Sequence, residues 1–205
     1  MDFGGLLAGF LERRGRFDEA EAEMRKVLQL DPLNSYAMGN LAHLLMRRGA
    51  HEEAVGLYRK LSERSHESDT IATGLHDSLC LATALRKTGD FEEAREILEQ
   101  ELAARQEAVD RGAPPPSYPG LLAALGRDGE ALALAREMGR ERAEQPLPLV
   151  GAAETFSMLG DIDSAVDMLE QAVAAGYDDP YLFLINPLLE SVRDNPALDR
   201  LAPVR

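Results

Sequence analysis

The sequence has no tryptophan, a single cysteine, few aromatic residues and no excess of basic charge. With Cys80 alone, no disulfide can form within one chain, which favours a reducing compartment and predicts a cytoplasmic location. The 22 Lys and Arg residues are outnumbered by 36 Asp and Glu residues, for a formal net charge of −14. Because nucleic acids and anionic membranes attract clustered basic side chains, neither is expected as a partner.

Long apolar runs are also missing. No apolar stretch approaches the roughly 18 residues that span a bilayer, so we expect no membrane insertion. The start, MDFGGLLAGFLERR, has no basic residue before its apolar part and is not expected to be a signal peptide. What the sequence does contain is Ala, Leu, Glu and Arg in quantity, the residues that favour helices.

Glycines recur at a nearly constant spacing, and an alanine follows each of them five residues later. The spacings between these glycines are 34, 40, 37 and 34 residues. Apolar residues at helical spacing lie on both sides, and acidic residues follow each of the first three glycines, where a second helix would begin. The pattern predicts helix–turn–helix units, with the turns at Gly15, Gly49, Gly89, Gly126 and Gly160.

These units resemble tetratricopeptide repeats. The first unit carries the signature as Leu7, Ala8, Leu11, Gly15, Phe17, Ala20, Met24 and Pro32. The resemblance implies an all-α protein, an α-solenoid of about five such units with C-terminal capping helices. We expect a single solenoid with units at 1–34, 35–68, 75–108, 112–145 and 146–179, and a cap at 180–205 formed by short helices at 187–193 and 196–201.

Two units depart from the pattern. The fourth is degenerate because prolines at 114–116 and 119 invade its first helix, which we expect to be short and to start near Ser117. About six extra residues precede Gly89, which predicts a longer loop or extended helix ends. The C-terminal tail is similar to tails that follow such repeats in bacterial regulators, kinases and cyclases. With the Ala/Arg/Gly-rich composition, this similarity favours a bacterial origin.

The resemblance also implies a concave groove, lined by the first helix of each unit, that binds a peptide or a segment of a partner protein. For any one of these residues, the alternative is that it is a polar side chain on a solvent-exposed face with no role in binding. The expected groove residues, besides Leu79 and Glu154, are Tyr36, Asn40, His43, Arg47, His76, Cys80, Thr83 and Arg86.

Arginines precede the turn in the first three units. Cations in the last turn of a helix interact favourably with the helix dipole, which explains them without a ligand. Arg13, Arg47 and Arg86 nevertheless occupy equivalent positions, and the resemblance predicts that they form a basic stripe that prefers an acidic partner. A chaperone-carboxylate clamp is not expected, since of its five positions, Gly5, Gly9, Asn40, His76 and Cys80, only Asn40 matches the family.

No metal, cofactor or catalytic activity is predicted. His76 and Cys80 are four residues apart and His43 can approach them, but a closed zinc site needs a fourth ligand that the sequence does not supply. Phosphate-binding, dinucleotide-binding, hydrolase and metalloprotease motifs are missing. We therefore expect a non-enzymatic protein-interaction module or scaffold.

Two alternatives remain open. The apolar residues Phe3, Leu6, Leu7 and Phe10 near the chain start would let the first unit stack on a second copy, as a self-associating structural module or homodimer. The chain would otherwise be the regulatory arm of a larger signalling enzyme or transcription regulator.

Overall fold

The structure, a computed structural model, describes residue 11 and residues 14–67, 71–112 and 114–202. These residues form helices and no strand, which confirms the all-α solenoid. In chain order the α-helices are α1 (Phe17–Leu30), α2 (Ser35–Arg48), α3 (His51–Glu67), α4 (Ile71–Thr88), α5 (Phe91–Asp110), α6 (Tyr118–Ala124), α7 (Asp128–Glu141), α8 (Pro146–Met158), α9 (Ile162–Ala174) and α10 (Pro196–Leu201). Consecutive helices pack as pairs, α2 on α3, α4 on α5, α6 on α7 and α8 on α9.

The turn glycines end the first helix of a pair by adopting a left-handed backbone. Gly49 has φ 81°, and the amide of Ala50 donates to the carbonyl of Leu45 at 2.9 Å. This hydrogen bond closes the helix end and would be strained with any residue that has a Cβ. The turn at Gly89 repeats the arrangement, with the Asp90 amide donating to Leu85 at 2.9 Å. Of the described helices, none is both long and apolar enough to cross a membrane.

The fourth pair has the shortened first helix that its prolines predict. Helix α6 has 7 residues and starts directly after Ser117, although the Ser117 side chain makes no capping hydrogen bond. The proline-rich lead-in packs closely on α8. An added Cβ at Gly151 would lie 2.1 Å from the carbonyl oxygen of Pro116. Glycine at this position therefore allows the lead-in to contact the helix backbone.

The extra residues before Gly89 extend the helices. Helices α3 and α4, which flank these residues, have 17 and 18 residues, against 14 in α1 and α2. Helix α5, which follows Gly89, is also long, with 20 residues. The lengthened helices carry a buried polar chain. The hydroxyl of Ser78 donates to Glu101 at 2.5 Å, and Arg105 pairs with the same carboxylate. These contacts join α4 to α5 within an otherwise apolar core.

The C-terminal segment, residues 177–202, contains two 3₁₀ helices, Pro180–Leu184 and Pro187–Val192, followed by α10. It caps the last pair, as expected, because its apolar side chains share a core with α8 and α9. The second 3₁₀ helix also contacts α2 and α4, which the sequence did not predict. Ile185 packs in a separate cluster with Leu11, Ala20 and Leu44. The segment thus crosses the face formed by α2, α4 and α8, called the first-helix face below.

Candidate functional site

A cavity of about 280 Å³ lies on the first-helix face. Helices α2, α4 and α8 supply much of its wall, the proline-rich lead-in to α6 another part, and the C-terminal segment the rest. Most of the surface is apolar, with a few polar groups, which is typical of ligand sites. The lining residues are His43, His76, Asp77, Pro116, Ser117, Leu147, Val150, Gly151, Glu154, Tyr177, Leu182 and Asn186.

Four of the predicted groove residues lie at or beside this cavity: His43, His76 and Glu154 line it, and the buried Cys80 contacts the two histidines. The Cys80 sulfur lies 3.6 Å from Nε2 of His76 and 3.9 Å from Nε2 of His43. One donor atom from each of the three residues lies within 4.8 Å of the others. The pair His76 and Cys80 meets because residues four apart share a helix face, whereas His43 arrives from the neighbouring helix α2. The two imidazoles are partly buried, and the thiol is fully buried.

A buried carboxylate holds His76 from the other side. Glu154 on α8 is 3% exposed, and its Oε1 lies 3.5 Å from Nδ1 of His76. The same oxygen accepts a hydrogen bond from the Asn186 side-chain amide at 2.8 Å. Asn186 in turn caps the second 3₁₀ helix, because its Oδ1 accepts from the Leu188 amide at 2.9 Å. The C-terminal segment is thereby tied to the cluster through hydrogen bonds.

Burial is the main influence on the protonation of this cluster. It lowers the pKa of His43 to about 3, with a further contribution from the neighbouring His76. It also raises the pKa of Cys80, which is therefore a neutral thiol at neutral pH. Burial opposes protonation of His76 too, but the contacts with Cys80 and Glu154 raise the pKa of His76 well above its ordinary value.

The predicted basic stripe contacts the protein's own backbone. Nη1 of Arg47 donates to the carbonyl of Leu184 at 2.7 Å, and the guanidinium lies 4.4 Å from the ring centre of Phe17. Nη2 of Arg86 donates to the carbonyl of Ala124, at the end of α6, at 2.5 Å. Arg13 lies outside the described residues. The preference of this surface for an acidic partner therefore stays a prediction, because both described arginines of the stripe already donate hydrogen bonds to backbone carbonyl groups.

The other predicted groove residues have separate environments. Tyr36 is half exposed, while Asn40 is buried and its side-chain nitrogen has no hydrogen-bond partner among the described residues. The Thr83 hydroxyl donates to the carbonyl of Leu79, within its own helix, at 2.8 Å. Residues Phe3, Leu6, Leu7 and Phe10, which suggested stacking of a second copy, lie outside the described part of the chain.

Sequence reasoning missed much of the cavity wall. The lead-in residues Pro116 and Ser117 and the C-terminal residues Tyr177, Leu182 and Asn186 belong to segments without a repeat pattern. Glu154 was among the expected groove residues, and the sequence of α8 also indicates its burial. This helix, PLPLVGAAETFSM, is apolar on nearly every side, so the carboxylate of Glu154 requires a buried partner.

Comparison with known protein families identifies the same type of repeat that the helix pairs form. Tetratricopeptide-repeat family models match residues 11–75 and residues 79–112. The chain contains tetratricopeptide repeats over these residues. Repeats of this family form protein–protein interaction scaffolds and are generally non-catalytic. No curated protein matches the chain significantly.

Several solved structures of tetratricopeptide-repeat proteins are similar to this one. TPR-like repeats described as a kinesin light chain from Podosopora anserina are 22% identical, with a TM-score of 0.47, over 84% of this chain and 92% of that chain. YrrB, a TPR protein with an unusual peptide-binding site, is 18% identical, with a TM-score of 0.41, over 85% of each chain. A tetratricopeptide repeat protein from Parabacteroides merdae is 17% identical, with a TM-score of 0.47, over 97% of this chain and 73% of that one. Similarity at these levels transfers no partner to this chain.

Proposed function

We propose that the first-helix face binds a peptide or an extended segment of a partner protein, with a preference for acidic partners. The observation that carries this proposal is the seating of the C-terminal segment on that face. Its contacts are of the kind a bound peptide would make. Arg47 holds the Leu184 carbonyl at 2.7 Å, and Ser191 exchanges hydrogen bonds with Ser157 at 2.8 and 2.9 Å.

The partner binds at the cavity, and the C-terminal segment stays in place as one of its walls. Displacement would be costly because Ile185, Leu189 and Val192 of the segment are fully buried. The cavity instead offers room for one or two side chains. Leu147 lies at its wall and is 62% exposed, which is the exposed apolar surface that a partner would cover.

Acidic preference rests on cations near the C-terminal wall. Lys87 pairs with Glu190 of the C-terminal segment at 2.9 Å, so this part of the face already holds one carboxylate. Arg47 reaches Leu184, two residues beyond the cavity-lining Leu182. A guanidinium has five N–H donors, so a hydrogen bond to one carbonyl leaves others for a carboxylate.

A peptide-display selection on the full chain tests the proposal, followed by affinity measurements with Leu147→Asp. Phe91→Asp is the matched control, because Phe91 is also 62% exposed but begins α5, away from the cavity. We expect Leu147→Asp to weaken binding about tenfold or more, the effect of losing a good interface contact. Equal loss or no loss in the two variants would refute binding at the cavity. Selected peptides without acidic enrichment would refute the charge preference alone.

A further inference from the structure

The cluster of His43, His76 and Cys80 is unusual for the core of a helical repeat. Packing alone favours apolar side chains, yet here two imidazoles and a thiol converge within 4.8 Å. Two neighbouring polar groups are left without hydrogen bonds among the described residues, Nδ1 of His43 and the fully buried hydroxyl of Tyr58. Buried polar groups without a hydrogen-bond partner are costly and rare, and a bound ion is one explanation for them.

We propose that Nε2 of His43, Nε2 of His76 and Sγ of Cys80 bind a zinc(II) ion, with release of the Cys80 thiol proton and the His76 imidazolium proton to solvent. The two distances from sulfur to nitrogen are close to those of a tetrahedral site. With Zn–N bonds of about 2.0–2.1 Å and Zn–S bonds of about 2.3 Å, a tetrahedral ion separates sulfur from nitrogen by about 3.5 Å. The structure has 3.6 Å and 3.9 Å. The donor atoms of the two histidines lie within 4.8 Å of each other, against about 3.3 Å in a tetrahedral site, so binding requires the histidine rings to move together by up to about 1.5 Å.

The donor set selects for late transition metals. A thiolate with two imidazoles is a combination that zinc binds well, whereas magnesium and calcium require oxygen ligands. Three protein ligands leave a fourth coordination position. His43 and His76 both line the cavity, so this position faces the cavity and takes a water molecule.

Glu154 is placed to support the site without binding the ion. Its carboxylate faces Nδ1 of His76, the ring nitrogen opposite the proposed ligand atom Nε2. A carboxylate on the far nitrogen of a metal-binding histidine fixes the orientation of the ring and strengthens the ligand. Asn186 holds this carboxylate through its amide at 2.8 Å, which makes the C-terminal segment part of the support.

The test uses the full, untagged chain, reduced with a phosphine, stripped with a chelator and kept without oxygen. Cobalt(II) is titrated in as a spectroscopic probe, and zinc(II) is then added to displace it. We expect one equivalent to bind per chain, with visible bands of a tetrahedral ion and a near-ultraviolet band from sulfur–cobalt charge transfer. Zinc should abolish these bands, and it should raise the melting temperature of the stripped protein.

Variants identify the ligands. Cys80→Ser should lose the charge-transfer band, and His43→Gln should weaken binding tenfold or more. His51→Gln, which alters a histidine at the start of α3, is the matched control and should bind like the original chain. Glu154→Gln should weaken binding by about 10- to 100-fold, the usual effect of losing such a support, and should keep the charge-transfer band.

Circular dichroism of each stripped variant establishes that it is folded. The proposal is overturned if the folded original chain binds no stoichiometric cobalt or zinc, or binds it without the charge-transfer band. It is equally overturned if folded His43→Gln binds as tightly as the His51→Gln control. The site does not depend on peptide binding, so either proposal can fail alone.

Discussion

The second helices of the first three units, α1, α3 and α5, called the outer helices below, use polar side chains differently from the first-helix face. On the outer helices, Arg25 of α1 pairs with Glu53 of α3, and Arg59 of α3 pairs with Glu93 of α5. The two arginines each follow a turn glycine by ten residues, and the two glutamates each follow one by four. The pairs are thus copies of one contact that joins successive repeats, and their side chains are 39–48% exposed.

Within the described part of the chain, the first-helix face has contacts that do not repeat from unit to unit. Glu154 bonds Asn186 and approaches His76 in a buried setting. No equivalent of this arrangement follows from the repeat period. Exposed ion pairs contribute little to stability, whereas removing one partner of a buried contact leaves a costly polar group behind. The repeated contacts therefore reflect how the units stack, whereas the site combines residues of the first helices with the lead-in to α6 and the C-terminal segment, which lie outside the repeat pattern.

The largest expected effect comes from the apolar anchor of the C-terminal segment. Ile185→Ala removes a fully buried side chain from the cluster with Leu11, Ala20 and Leu44. We expect the free energy of unfolding to fall by about 2–4 kcal/mol, as for other large-to-small core changes. Urea denaturation measures it. Ile162→Ala, at a position 40% exposed on α9, is the control and should change the free energy far less.

A methyl group at Gly151 should also destabilise the protein. Its Cβ would lie 2.1 Å from the backbone oxygen of Pro116, so the lead-in must move away from α8. We expect Gly151→Ala to lower the free energy of unfolding by about 1–3 kcal/mol. Gly56→Ala, in open space within α3, should instead raise it by about 0.5–1 kcal/mol through helix propensity. Effects of the same sign would contradict the close contact at Gly151.

Removing one glutamate from each face compares the faces directly. Glu154→Ala, measured in metal-free protein, leaves the Asn186 amide and the His76 ring without their buried partner. We expect a loss of about 1–3 kcal/mol in the free energy of unfolding. Glu93→Ala breaks an exposed pair with Arg59 and should cost at most about 1 kcal/mol. Similar losses in the two variants would remove the distinction between the faces.

The smallest effect should appear as a dependence on pH at the outer pair. The hydrogen bond with Arg25 is the main reason that the pKa of Glu53 is lowered. A carboxyl group whose pKa is lowered by folding stabilises the folded protein at pH values above its unfolded pKa of about 4.3. This stabilisation is lost as the pH falls through the lowered, folded-state pKa. We expect the free energy of unfolding of the original chain to exceed that of Glu53→Gln by at most about 1 kcal/mol at pH 7, and by less at pH 3. Chemical denaturation at both values measures this difference, which should also shrink in high salt.

Much of the fold could be predicted because the repeat fixes local structure. The glycines at 49 and 89 required a left-handed turn, and the prolines at 114–116 required a short α6. From the sequence, the helix dipole alone accounted for the acidic residues in the helix turn after each of these glycines. Glu53 and Glu93 also pair with arginines of the preceding repeat, which required knowing how the repeats stack.

The site could be predicted only in part. The i, i+4 spacing placed His76 and Cys80 together, but the approach of His43 depends on how α2 packs against α4. The apolar residues of the C-terminal segment suit the open end of the last pair as well as the first-helix face. The order of apolar and polar residues in the segment does not show which of the two surfaces it covers, so its course is known only from the three-dimensional structure.

The hydrogen bond from Arg47 to Leu184 joins residues that are 137 positions apart. In a simple repeat array each unit contacts only its neighbours, and the array can fray from one end. A tail that reaches back to α2 couples an early unit to the last one, so we expect unfolding to be cooperative along the chain. Such distant contacts also raise the contact order, which slows folding relative to an array without the tail.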